Sequence, residues 1–111
     1  TGTTEAPFGA GAARLLTVTG GTTTVPDTAT AVVINVTAAL PTAGTHVTLW
    51  PAGVDRPTVS NLNLPTGDVR ANLAIVKVGD LDQISVYNES GATDIIIDVV
   101  GYFNGAVVPT V

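Results

Sequence analysis

His46 is the single histidine of the chain, so a hydrolytic triad would have to join it to Ser60, Ser85 or Ser90. None of those serines lies in a Gly-x-Ser-x-Gly elbow, the sharp turn that exposes a nucleophilic hydroxyl. Within "THVTLW", residues 45 to 50, His46 alternates against Val47 and Leu49, which turns it toward solvent or a hydrogen-bonding neighbour. Asp94 and Asp98 would have to serve as a carboxylate pair across four residues of strand, roughly 13 Å, wider than either class of glycosidase uses. Asp80 and Asp82 in "GDLD", followed by Asn88 and Glu89, offer oxygen ligands for Ca2+. The spaced ligand series of a dedicated calcium loop is missing, and acidic turns also arise because Asp bonds its own backbone. The chain therefore reads as noncatalytic, with no metal centre and no cofactor, and with calcium at Asp80 and Asp82 as the one candidate ion.

A second constellation lies in "WPAGVDRPTVSNLN", residues 50 to 63, which holds the only tryptophan. Trp50, with Arg56 and Tyr87, supplies the aromatic and guanidinium surfaces on which sugar rings stack, so these three are the candidate ligand-binding residues. The competing expectation is a lid: a single tryptophan at a sandwich rim closes the core and sends its indole N–H to a backbone carbonyl. Asn61 and Asn63 alternate with Leu62 and Leu64, and on the face away from the core they are placed to ladder to Asn72 or to bind a polar ligand. Asn35 and Asn88 head N-x-Thr and N-x-Ser sequons, a short pattern that carries little weight by itself.

The elements that must position these residues are strands. Helix-forming composition is confined to "GAGAARLL", residues 9 to 16, too short and Gly-rich to stand alone. After it, runs of Val, Ile and Thr recur between turn residues such as "VPDT", "LPTAG", "LPTG" and "GDLD", the pattern of an all-β sandwich or barrel. We read about seven strands, at 14–19, 30–37, 45–50, 58–64, 69–78, 83–88 and 93–103, forming an all-β, antiparallel β-sandwich. Alternation predicts an inward set of Val32, Ile34 and Val36, then Val47 and Leu49, Leu62 and Leu64, Leu73 and Ile75, Ile84 and Val86, and Ile95, Ile97 and Val99. The last strand is apolar on both faces, which predicts a central place and something packed on its second side.

At 111 residues the chain is one domain, 1–111, with 1–13 and 104–111 as extended terminal segments. Charged residues make up only 12%, and nine acids face four bases for a net charge of −5. Phosphate binding needs clustered cations, and Arg14, Arg56, Arg70 and Lys77 are scattered, so nucleic acid is excluded as a partner. No stretch is apolar enough for membrane insertion as a helix, and zero cysteines exclude disulfides and thiol chemistry. A first residue of Thr1 fits a processed, secreted bacterial protein whose signal peptide has been removed.

From "VPDTATAVVINVTAALPTAG" through "VTLWPAGVDRPTVSNLNL" and "ANLAIVKVG" to "ISVYNESGATDIIIDVVGYF", residues 25 to 103, the chain resembles a β domain of secreted and cell-surface proteins of high-GC Gram-positive bacteria. That domain recurs as a repeat or a C-terminal appendage. The resemblance implies an extracellular, noncatalytic, sandwich-like module and supplies no catalytic residue and no ligand. The chain departs from it at the start, where "RLLTVTGG", residues 14 to 21, runs almost directly into "VPDT" in place of a longer insertion.

Low charge, Thr-rich strand faces and the apolar last strand point to a structural protein of the cell surface that packs as a homo-oligomer or against a cell-surface protein. Strand 14–19 is a candidate edge with one charge, Arg14, at its start, and unprotected edges recruit other chains. Phe8, Leu15, Leu16 and Val18 are accordingly the candidate assembly residues, with Phe8 expected against a neighbour. The alternative is a carbohydrate-binding module for cell-wall or biomass polysaccharide, acting through Trp50, Arg56 and Tyr87.

Overall fold

β-Branched runs broken by Gly and Pro turns fold here into two antiparallel sheets packed face to face. The computed structural model describes residues 2–3, 7–21 and 23–105. In chain order the strands are β1 (Gly2–Thr3), β2 (Ala12–Thr17), β3 (Ala31–Ala39), β4 (Thr45–Pro51), β5 (Leu62–Leu64), β6 (Val69–Lys77), β7 (Gln83–Asn88) and β8 (Asp94–Phe103). Sheet order is β1-β8-β3-β6 in one layer and β2-β7-β4-β5 in the other. A 3-10 turn at Asp80–Asp82 is the one helical piece among the described residues. The sandwich is thus all-β, with strand 58–64 of the sequence reading shortened to β5 and strand 14–19 shifted to β2.

The core lies between the layers, where β3 contributes Val32, Ile34, Val36 and Ala38, all fully buried, against Val47, Leu49, Ile84 and Val86 from the second sheet. Each of the Val, Ile and Leu side chains stabilises the fold by about 1.5–3 kcal/mol through removal of apolar surface from water. β8 adds Ile95 and Ile97 to the same core and lies between β1 and β3. Val33 pairs with Gly101 and Ile34 with Val99, so Val100 is an extra residue, a bulge that leaves its side chain 61% exposed.

Two expectations fail on the first sheet. Leu73 and Ile75 do not face the core: each is 61% exposed, and Ala74 and Val76 point inward instead. The cause is that β6 is an edge strand whose inward positions also carry Arg70 and Asn72, which reach across the gap to the second sheet. The Asn72 amide donates to the Asn61 carbonyl at 2.8 Å and the Arg70 guanidinium to the Asn63 carbonyl at 3.2 Å. Polar stitching therefore occupies half of the inward face, and the larger apolar side chains are left outside. The second face of β8 is covered only in part, with Ile96 and Asp98 half-buried and Val100 61% exposed.

The N-terminal segment also departs from the sequence reading. Phe8 is buried in the chain's own core, and its backbone exchanges hydrogen bonds of 2.9 and 3.0 Å with Thr93. The Arg14 guanidinium lies 4.0 Å over the Phe8 ring and donates to the Pro7 carbonyl at 2.8 Å. Residues 7–11 are therefore docked, not loose. Residues 1, 4–6 and 106–111 of the expected terminal segments lie outside the described residues.

Candidate functional site

Alternation along β4 sends Val47 and Leu49 inward, so His46, Thr48 and Trp50 emerge on the opposite, outer face of the second sheet. On β7, Ile84 and Val86 point in and Ser85 and Tyr87 out. Thr48 pairs with Tyr87 and Trp50 with Ser85, which sets Trp50 diagonal to Tyr87 on one face. Their rings meet edge to face with centroids 6.4 Å apart. His46 stands on the other side of Tyr87 at 6.5 Å.

The segment 52–60 then folds back over this face. Gly53 turns it with φ of 84°, a conformation that favours glycine, and a side chain there would collide with the Asp80 carboxylate. The Trp50 indole donates to the Val54 carbonyl at 2.8 Å, and the Arg56 guanidinium lies 3.9 Å above the Tyr87 ring. Both aromatic residues are buried as a result. The structure thus brings Trp50, Arg56 and Tyr87 together as the sequence suggested, but Arg56 occupies the Tyr87 face on which a sugar ring would stack. Trp50 is a lid with the expected indole-to-carbonyl bond, although it closes the outer face of the sheet and not the main core.

The polar rim of the cluster is open to solvent. Tyr87 donates its phenolic hydrogen to Glu89 Oε1 at 2.7 Å, and the same oxygen lies 3.8 Å from His46 Nε2. That hydrogen bond to Glu89, helped by desolvation, raises the Tyr87 pKa above its ordinary value. Ser60 donates its hydroxyl to Asn63 Oδ1 at 3.1 Å, and the Ser90 backbone amide donates to the Thr45 hydroxyl at 2.9 Å. Tyr87 and Glu89 are joined by a hydrogen bond, and His46 stands beside the same carboxylate within ion-pair distance.

Asp80 and Asp82 sit in the 3-10 turn, where Leu81 and Asp82 adopt left-handed φ of 56° and 59°. Thr19 donates to Asp82 Oδ2 at 3.0 Å, so that carboxylate satisfies a neighbouring strand end. Among the described residues no three acidic or histidine side chains cluster as a metal site would require. Asp94 and Asp98 both belong to the outward set of β8. Asp68 caps the start of β6: bonds from the Val69 amide and the Arg70 guanidinium hold its carboxyl below the ordinary carboxylate range.

Of the candidate assembly residues, Val18 is buried at 1% and Phe8 at 7%, and both belong to the chain's own core. Both pack inward between the layers, not outward toward a neighbour. Leu16 is half-buried beside them and Leu15 is 61% exposed. A cleft of about 220 Å³ opens between β2 and β8, lined by Phe8, Arg14, Leu16, Val86, Ile95 and Ile97.

The polar centre that sequence reasoning missed is Asn88. Its side chain is fully buried at the end of β7, and its two amide hydrogens are shared among the carbonyls of Phe8, Gly9, Ser90 and Gly91, which lie 2.8 to 3.3 Å from Nδ2. Thr45 and Thr93 donate to its Oδ1 at 2.7 and 3.3 Å. A sequon reading of Asn88 fails on this burial. Nothing in "YNES" distinguishes such a hub from a turn asparagine, since its partners lie up to 80 residues away. Comparison with known protein families, with characterised proteins and with solved structures returns no match.

Proposed function

We propose that this chain is a noncatalytic, extracellular β-sandwich module that acts in structural or surface assembly by packing with copies of itself or with a cell-surface partner. The observation that carries this is the outer face of the first sheet. Val69, Leu73 and Ile75 on β6 and Val100 on β8 are each more than half exposed there, and Phe103 stands at the far end at 44%. Gly101 pairs with Val33, which pairs with Ile75, so the missing side chain at Gly101 leaves Val33 open in a shallow hollow between strands. Soluble monomers seldom present so many large apolar side chains on one side, and such patches mark contact surfaces. The resemblance of residues 25 to 103 supports the extracellular setting. The covered faces of Trp50 and Tyr87 weigh against a carbohydrate platform at that site.

Concentration-dependent light scattering tests the proposal. The wild-type chain is expected to associate, and Leu73→Lys with Ile75→Lys is expected to weaken that association without changing the circular dichroism spectrum. A wild-type chain that stays monomeric at high concentration and is not retained on Gram-positive cell surfaces would overturn it.

A further inference from the structure

We infer that the free edge of β2 is a self-pairing surface, on which a second copy of this chain adds its own β2 antiparallel and extends the second sheet across a twofold axis. This rests on the assembly function proposed above and adds a second contact, at a sheet edge, to the outer face of the first sheet. Among the described residues β2 pairs with β7 alone and ends the sheet. The Val18 amide donates to the Asp82 carbonyl at 3.0 Å just past the strand. Antiparallel ladders alternate, so the amides and carbonyls of Ala13, Leu15 and Thr17 point away from β7, toward the open edge.

The other side of the sandwich treats its edges differently. On β6 the Val69 amide is taken by the Asp68 carboxylate at 2.9 Å and the Leu73 amide by the Asn72 side chain at 3.0 Å. Beside β5, the Asn61 side chain accepts from the Leu49 amide at 2.7 Å, and Asn72 and Arg70 cross between the layers. Two amides of β6 are thus engaged by side chains, and polar groups cross from it to the neighbouring layer, which hinders strand addition there. β2, "AARLLT", has no proline, and the three residues that face the edge are uncharged.

The sequence of β2 is also complementary to itself in one register. Centring the twofold on Leu15 makes Leu15 face Leu15 of the second copy, and Ala13 face Thr17 on each side. All three pairs use outward-pointing backbone groups, so every pair can exchange two hydrogen bonds. Leu15, 61% exposed, meets its copy as an apolar cross-strand pair. Arg14 falls opposite Leu16 of the second copy, so like charges do not meet.

Two kinds of variant test this in the full chain. Leu15→Pro removes one outward amide per copy and leaves the β7 ladder intact, and it is expected to weaken self-association about tenfold or more while the fold persists. Leu15→Cys, in a chain otherwise free of cysteine, places two sulfur-bearing residues with Cα atoms about 5.5 Å apart, within disulfide reach, and is expected to cross-link into dimers under copper–phenanthroline oxidation. Ala13→Cys alone is expected to stay unlinked, and Ala13→Cys combined with Thr17→Cys to link. A wild-type chain that neither associates nor is retained on Gram-positive cell surfaces overturns the assembly function itself, and one that is retained but never associates overturns the β2 edge alone. A chain that associates while Leu15→Pro leaves its affinity unchanged, or while Leu15→Cys remains unlinked, overturns the β2 edge and leaves that function standing.

Discussion

The Asn88 amide reaches carbonyls of the N-terminal segment and of the 89–93 turn while two threonine hydroxyls hold its oxygen. Removing it orphans several buried polar groups at once, each worth about 1–3 kcal/mol when left unsatisfied. Asn88→Ala is therefore expected to destabilise by about 3 kcal/mol or more, read as a lowered urea midpoint. At the outer face, the Tyr87 hydroxyl is a donor to Glu89 only while it is protonated, and its folded pKa lies above the ordinary value of 10.0. Any stabilisation from that bond is complete below about pH 10 and disappears as pH rises through the higher folded value. Absorbance titration near 295 nm is expected to show a phenol that ionises late, and Glu89→Ala is expected to bring its transition back toward the ordinary range.

At the level of strands, β3 and β6 make opposite demands on two isoleucines. Ile34 is fully buried between the layers, so Ile34→Ala is expected to cost about 2–5 kcal/mol in urea denaturation, transfer loss and cavity together. Ile75 stands on the outer face of β6, so Ile75→Ala is expected to cost less than about 1 kcal/mol in the isolated molecule. The seven longer strands and their antiparallel pairing were legible, because β-branched runs and Gly, Pro and Asp turns are local signals. The inward face was legible wherever one face was clearly the more apolar, as in β3, β4 and β7. In β6 the rule inverted: Leu73 and Ile75 outweigh Ala74 and Val76 by hydrophobicity, but Arg70 and Asn72 fix the register through bonds to β5 that no local window contains. The Trp50, Arg56 and Tyr87 grouping was visible from residue types, whereas Arg56 covering Tyr87 depends on how segment 52–60 returns over the sheet.

For the molecule as a whole, the N-terminal segment is part of the sandwich and not an appendage. Phe8 fills the side of the core beneath Arg14, and Phe8→Ala is expected to lower stability by about 3–5 kcal/mol, measured by thermal or urea unfolding. Deleting residues 1 to 12 would remove the same anchor and two carbonyl partners of Asn88, so such a chain is expected to unfold instead of merely dissociating. The pairing of β8 against β3 has a further outcome in time. Residues 94 to 103 form an inner strand of the first sheet, and during synthesis β3 must wait about 60 residues for that partner. During synthesis the earlier strands emerge without the neighbour that completes their layer, so a nascent chain stopped before Asp94 is expected to remain open to protease. Once released, the full chain is expected to fold in one concerted step on the millisecond-to-second scale of nonlocal β architectures, which stopped-flow tryptophan emission from Trp50 would follow.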